Sequence, residues 1–315
     1  PMILMTVNTS IRIKDLVLKN PVTAASGTAG YGEEMSGFID LSRLGAIFTK
    51  GLTLRPRPGN PGNRIIETPA GVLNSIGLEN VGLERYVTEK LPFLRRKGAT
   101  VIPNVAGHSV EENVELCGAL SSLEDIKALE LNVSCPNVKE GGMIFGTDLN
   151  LFTELLEKVR KATRCALIVK LSPNVTDIGE FAGRAEEIGV DALSAVNTFV
   201  GMKIDIRKKR PHFRNTTAGL SGPAIRPIAV RIVYRICESA SVPVIGLGGI
   251  AGIDDMLEFI MAGATAISVG TMNMVDPGIS IRLIDQLESY MASEKISDIH
   301  EIIGVAHTPK RQDGK

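Results

Sequence analysis

Ala128-Leu129-Glu130-Leu131-Asn132-Val133-Ser134-Cys135-Pro136-Asn137 reads as a short apolar strand running into a polar turn. Pro136 has no N–H to give to a ladder, so the strand must stop there. The turn therefore carries a thiol, Cys135, flanked by the amides of Asn132 and Asn137. Outward from this stretch the same unit recurs. Apolar runs at Val22–Ser26, Ala46–Lys50, Val101–Val105, Leu129–Val133, Leu167–Leu171, Ala192–Asn197, Val242–Leu247 and Ala266–Val269 make eight candidate strands. Between them lie amphipathic stretches such as 151–162 and 178–188, with apolar residues at helical spacing. The second of these stops at Gly189, a residue suited to end a helix. Alternation of strand and helix predicts a parallel sheet, and a count of eight predicts a closed (β/α)8 TIM barrel of the α/β class. In such a barrel the carboxyl ends of the strands carry the active site, which places Cys135 at its mouth.

Details refine this architecture. Ile11–Ile13 and Leu16–Leu18 flank Lys14-Asp15 and predict a small N-terminal β-hairpin across the barrel floor. Residues 51–80, rich in Gly, Pro and Asn, form a loop too long for a tight connection, and such a loop above the strand ends belongs to the site. Residues 198–227 form a similar one, whose basic run from Lys203 to Arg214 is expected to be a solvated face. The expectation is one domain over 1–305, followed by a polar, disordered tail over 306–315.

Composition narrows the function. The 315 residues are 44% hydrophobic, and 35 basic side chains balance 35 acidic ones, so no electrostatic footprint for nucleic acid is present. No apolar run reaches the roughly 18 residues of a membrane span, and no signal-peptide pattern is seen at the N-terminus. The four cysteines, Cys117, Cys135, Cys165 and Cys237, are scattered and form no CxxC pair. That argues against a zinc site or an iron–sulfur cluster held by this chain alone, and free thiols suit a reducing cytoplasm.

The chemistry-bearing residues gather at the predicted strand ends. Val244-Ile-Gly-Leu-Gly-Gly-Ile-Ala-Gly252 and Ile267-Ser-Val-Gly-Thr271 place glycines after strands seven and eight, where backbone N–H groups can approach a phosphate. Ser221-Gly222-Pro223 supplies a third wall. Lys50 ends strand two and Lys170 lies within the last residues of strand five, and each ammonium needs a partner, either a ligand or an ordinary salt bridge. With Asn104, Asn132 and Asn197, and Asn74 from the long loop, they form a ring of donors suited to a planar heterocycle with several carbonyls, such as a flavin or a pyrimidine. No histidine falls at a strand mouth save His108, just past strand three, which leaves Cys135 as the acid/base group.

Taken as an ordered set, Ala25-Ser26-Gly27, Thr49-Lys50-Gly51, Asn74-Ser75-Ile76-Gly77-Leu78, Asn132 to Asn137, Lys170-Leu171-Ser172-Pro173-Asn174, Leu220 to Ile225 and Gly246 to Ile250 resemble class 1 dihydroorotate dehydrogenase from about residue 10 to about residue 305. The resemblance implies an FMN-binding barrel that oxidises dihydroorotate to orotate in pyrimidine biosynthesis. Cys135 would take a proton from substrate C5 while hydride leaves C6 for the flavin. Asn74, Asn132, Asn137 and Asn197, with the backbone of Ile76, Gly77 and Leu78, would hold the pyrimidine and its carboxylate, with Thr198 beside the cysteine. Lys50 would lie between flavin and substrate, and Lys170 at the flavin N1–C2=O edge. Ser26, Gly27, Asn104 and Asn132 would contact the flavin, and Gly222, Gly248, Gly249, Gly270 and Thr271 would cradle its phosphate. No metal is implied.

The run Leu220-Ser-Gly-Pro-Ala-Ile-Arg-Pro227 resembles class 1B, in which a homodimer of the FMN chain sits in a heterotetramer. Its partner subunit, carrying FAD and [2Fe–2S], passes electrons to NAD. Class 1A, a homodimer using fumarate, stays open, as do a flavin enzyme acting on dihydrouracil and a Schiff-base aldolase using Lys170. Two departures stand out: Glu79, where the family more often has a neutral residue, and Thr217-Ala218-Gly219, in place of a more glycine-rich run. The turn from Cys135 to Asp148, with Gly141, Gly142 and Gly146, is expected to act as a lid.

Overall fold

A computed structural model of the chain describes residues 6–133 and 145–307. Cys135, Asn137, Gly141 and Gly142, and with them most of the expected lid, lie outside the described residues. The barrel strands are β1 (Val22–Ala24), β2 (Ala46–Phe48), β3 (Val101–Ile102 and Asn104–Val105), β4 (Ala128–Asn132), β5 (Ala166–Lys170), β6 (Ala192–Ala195), β7 (Val244–Leu247) and β8 (Ala266–Val269). They pair in parallel in the order β3-β2-β1-β8-β7-β6-β5-β4-β3, so the two ends of the sheet are halves of one strand and the ring closes. Pro103 divides those halves. It lacks an N–H, yet its carbonyl still accepts from Glu130 N at 2.9 Å.

Parallel strands covered on both faces are apolar throughout, and β5 shows this, buried from Ala166 to Lys170. Leu129 and Leu131 of β4 are fully buried. The helix Leu149–Ala162 buries Phe152, Leu155, Leu156 and Val159 on one face, at about 1.5–3 kcal/mol per large side chain. Its start, two residues earlier than the periodicity suggested, is set by Asp148, whose side chain accepts from Asn150 N and Leu151 N. The helix Ile178–Ile188 runs as expected, capped by Asp177 and ended by Gly189 at φ +89°.

The N-terminal hairpin pairs Ile11–Ile13 with Leu16–Leu18. Lys14 in its turn lies 3.3 Å from Asp191, which sits just before β6 and accepts from Leu167 N, so the hairpin closes the amino-terminal floor. One expectation needs correction: residues 51–80 are not merely a loop. They hold the hairpin Ile65–Thr68/Gly71–Asn74, which joins Ala218–Ser221 and Phe199–Gly201 in a four-stranded antiparallel sheet. The two long connections thus satisfy each other's backbone groups over the mouth. Near the end of the described residues, His307 stacks on Tyr234 at 3.9 Å and Ala306 N donates to Met261 O. No helix among the described residues is long and apolar enough to cross a membrane.

Candidate active site

A cavity of about 290 Å³ opens at the carboxyl ends of the strands. Both lysines reach it. Lys170 is the last residue of β5 and only 5% exposed, with no ion pair among the described residues. A buried ammonium is costly unless it meets a partner, and Lys170 lines this cavity. Lys50 follows β2 and meets Glu79 at 3.8 Å.

The amides come from neighbouring strands. Asn132 ends β4, and its Oδ1 accepts from Asn197 Nδ2 at 3.2 Å; Asn197 Oδ1 in turn accepts from Thr198 N at 2.8 Å. These bonds fix which way each amide faces. Asn74 arrives from the cap sheet and donates to Gly219 O at 3.2 Å. Thr198 packs so closely on Gly219 that a Cβ there would lie 2.2 Å from its Oγ1, which explains a glycine at that register.

The glycine turns after β7 and β8 converge with Ser221-Gly222. At Gly249 (φ +81°) a Cβ would stand 2.8 Å from Gly222 O, and at Gly222 (φ +98°) it would stand 2.8 Å from Gly71 Cα. Close backbone approach combined with positive φ restricts both positions to glycine. Thr271 Oγ1 donates to Ser221 Oγ at 2.9 Å, closing the rim of this cradle. Asp255, in the helix that follows β7, and Glu258 one turn on are both paired with Arg226.

Of the residues expected at the site, Ser26, Gly27, Lys50, Asn74, Ile76, Gly77, Leu78, Asn132, Lys170, Asn197, Thr198, Gly222, Gly248, Gly249, Gly270 and Thr271 all line this one cavity. Asn104 does not. It is fully buried one step below, with Oδ1 lying 2.9 Å from where a Cβ of Gly51 would stand. Its Nδ2 donates to Glu130, while Oδ1 has no hydrogen-bond partner among the described residues. Glu130 is 2% exposed and also accepts from Ser194 Oγ across the barrel at 2.6 Å. His108 lies elsewhere, in a groove with Arg57 and Glu112; burial and the Arg57 guanidinium lower its pKa.

The sequence reading missed the apolar lining from Ile65, Val72, Val196, Ile225, Leu247 and Met274. Val196 had a signal in its place beside Asn197. Ile65 and Val72 had none, because the cap sheet that carries them is a tertiary pairing. Of the thiols, Cys117, Cys165 and Cys237 are set apart from chemistry by burial, which pushes them up to about 12, about 11 and about 12.

A closed barrel whose mouth brings a glycine cluster beside a ring of amides and lysines has the donor set of a ligand-binding α/β-barrel enzyme. The comparisons make that class particular. The family model described as dihydroorotate dehydrogenase matches residues 8–291. The chain is 51% identical over 295 residues to "Dihydroorotate dehydrogenase B (NAD(+)), catalytic subunit" of Geotalea daltonii, covering 94% of this chain and 97% of that protein. It is 50% identical over 295 residues to the protein of the same name from Geobacter sulfurreducens, with the same coverage of both. In fold it matches a crystal structure of DHODH from Eimeria tenella in complex with ferulenol, with a TM-score of 0.82 at 22% identity, over 98% of this chain and 91% of that one. The chain belongs to the dihydroorotate dehydrogenase family.

Proposed function

We propose that this chain oxidises (S)-dihydroorotate to orotate in pyrimidine biosynthesis, as the FMN-binding catalytic subunit of a class 1B, NAD-linked enzyme. The observation that carries the reading is the convergence of Lys50, Lys170, the three amides Asn74, Asn132 and Asn197, and the glycine cradle on one cavity. The cavity's residues fit FMN. Gly222, Gly248, Gly249, Gly270 and Thr271 would take the phosphate, and Ser26, Gly27, Lys50, Asn132 and Lys170 the ring system. The orphan Oδ1 of Asn104 supplies a buried acceptor just beneath. When bound, FMN supplies the hydride acceptor for substrate C6.

The chain's own residues do the rest. Asn74, Asn132 and Asn197, already oriented by their mutual and backbone hydrogen bonds, hold the pyrimidine carbonyls and N–H groups, with Asn137 and the backbone of Ile76, Gly77 and Leu78. These groups also take the substrate carboxylate, and Lys50, between flavin and substrate, lines the same cavity, where its ammonium is within the carboxylate's field. Cys135, three residues beyond Asn132, takes the proton from C5, with Thr198 as its helper. A thiol of ordinary pKa, about 8.5, is a few per cent thiolate at neutral pH, so the rate of substrate oxidation should rise with pH as Cys135 ionises.

The names of the relatives support a separate electron-transfer subunit, which we assign FAD and a [2Fe–2S] cluster, with NAD as final acceptor. They favour this arrangement over a fumarate-linked homodimer. A homodimer of this chain within a heterotetramer is supported by the exposed aliphatic series Val200, Met202, Ile204 and Ile206, four apolar side chains at alternate positions. The free thiols suit a cytoplasmic setting. The test is Cys135→Ser in the FMN-loaded chain: orotate binding should persist, while flavin reduction by dihydroorotate at pH 7 slows by orders of magnitude. Unchanged reduction kinetics would sink the assignment of the base.

A further inference from the structure

We infer that Glu79 sets the affinity of the site for carboxylate-bearing ligands: it is a built-in counter-ion on Lys50 with which an anionic substrate must compete. The inference rests on the dihydroorotate reading, because it presumes a ligand carboxylate directed at Lys50.

Among the described residues lining the cavity, Lys50, Lys170 and Glu79 are the charged ones, so Glu79 is the sole carboxylate there. Its Oε2 lies 3.8 Å from Lys50 Nζ and 2.5 Å from Arg64 Nη1. Arg64 is itself held, through Nε to Asn60 O at 2.7 Å and through Nη2 to Pro58 O at 2.8 Å. The segment bearing Glu79 is locked to the one bearing Arg64 by Asn60 N to Ile76 O at 2.8 Å and Ser75 N to Arg64 O at 2.7 Å. Gly77 (φ +77°) and Leu78 (φ +55°) turn the chain between them. Glu79 is therefore not a mobile surface carboxylate. It is tethered where its charge acts on Lys50.

The rim cluster has two positive groups, Lys50 and Arg64, and one negative, leaving a single net positive charge for an incoming carboxylate. A ligand carboxylate approaching Lys50 meets attraction from the ammonium and repulsion from Glu79 together. Both partners are partly solvated, with side chains 24% and 47% exposed, so the interaction is screened and its effect is modest. A Gln in place of Glu79 keeps the shape and can still accept from Arg64 through its amide oxygen, while removing the charge that competes for Lys50.

The experiment titrates orotate and its uncharged methyl ester into FMN-loaded wild-type and Glu79→Gln protein, following flavin absorbance at low and high salt. The Kd for orotate is expected to fall about two- to ten-fold in the variant at low salt, and less at high salt. The ester's Kd should not change. Glu79→Ala should shift orotate in the same direction, which guards against a loss specific to the Gln side chain. An orotate Kd that stays the same or rises, or a shift shared equally by orotate and ester, overturns the inference and leaves Glu79 a structural clip for Arg64. Failure of orotate to bind the FMN-loaded wild type overturns the dihydroorotate reading and this inference with it, an outcome distinct from the others.

Discussion

Gly270 offers a way to test the phosphate cradle without disturbing the barrel that carries it. A Cβ built on Gly270 meets nothing closer than Ala25 Cβ at 3.8 Å, an ordinary contact, and Ala25 also lines the cavity. The methyl of Gly270→Ala thus projects into open cavity space rather than into protein. Stability of the apoprotein should change by no more than about 0.5 kcal/mol, as for other substitutions that break no packing. If a phosphate sits against this backbone, the methyl pushes it off charge-assisted N–H bonds worth about 1.5–3 kcal/mol, and FMN affinity falls roughly 10- to 150-fold. Gly249→Ala is the contrast. There the Cβ would stand 2.8 Å from Gly222 O at φ +81°, so the protein itself is strained, by about 1–2 kcal/mol for the backbone alone. FMN titration by fluorescence quenching, with apoprotein melting temperatures alongside, separates the two. An apo Tm near wild type with weakened FMN is the expected pattern for Gly270→Ala. Unchanged FMN affinity in that variant would refute the placement of the phosphate.

Three further outcomes follow from the same geometry. Glu130→Ala leaves the Asn104 amide and the Ser194 hydroxyl without their buried acceptor and should cost about 3–5 kcal/mol by urea denaturation; a loss below 1 kcal/mol on the same scale would mean the network is dispensable. Because burial raises Cys117, Cys165 and Cys237 to between about 11 and about 12, their thiolate fraction at pH 8 is negligible. Brief iodoacetamide treatment of the native apoprotein should therefore label Cys135 and spare these three, as read by peptide mass spectrometry, with labelling of the three growing only as pH climbs toward their raised pKa values. Gly189→Ala forces a non-glycine residue to φ +89° in open space, so chemical denaturation should register a loss of about 1 kcal/mol with FMN binding intact.

Much of this was legible in the chain because the barrel repeats a strong local signal. Each strand is a short apolar run and most are followed by an amphipathic helix, one of which stops at Gly189 as expected, while Pro103 and Pro243, which the apolar runs passed through, divide β3 and delay the start of β7 to Val244. The strand-end residues were legible for the same reason: once β2, β4, β5 and β8 are placed, Lys50, Asn132, Lys170 and Gly270 must lie at the mouth. The cap sheet was not legible. Its partners, Gly71–Asn74 and Ala218–Ser221, are far apart in sequence, and each alone carries too little periodicity to announce a strand. Asn104 was assigned by strand position, but side-chain direction and the claim of Glu130 on its amide draw it below the cavity wall. Glu79 was visible as an unusual residue, while its consequence needed the three-dimensional meeting with Arg64 and Lys50.

The central claim, a flavin in this barrel reduced by dihydroorotate, is open to one direct measurement: the anaerobic visible spectrum of the purified chain before and after dihydroorotate is added. The account predicts a flavin band that bleaches on addition. A band that persists would contradict the substrate, and a colourless protein that takes up no added FMN would contradict the cofactor and the site built around it.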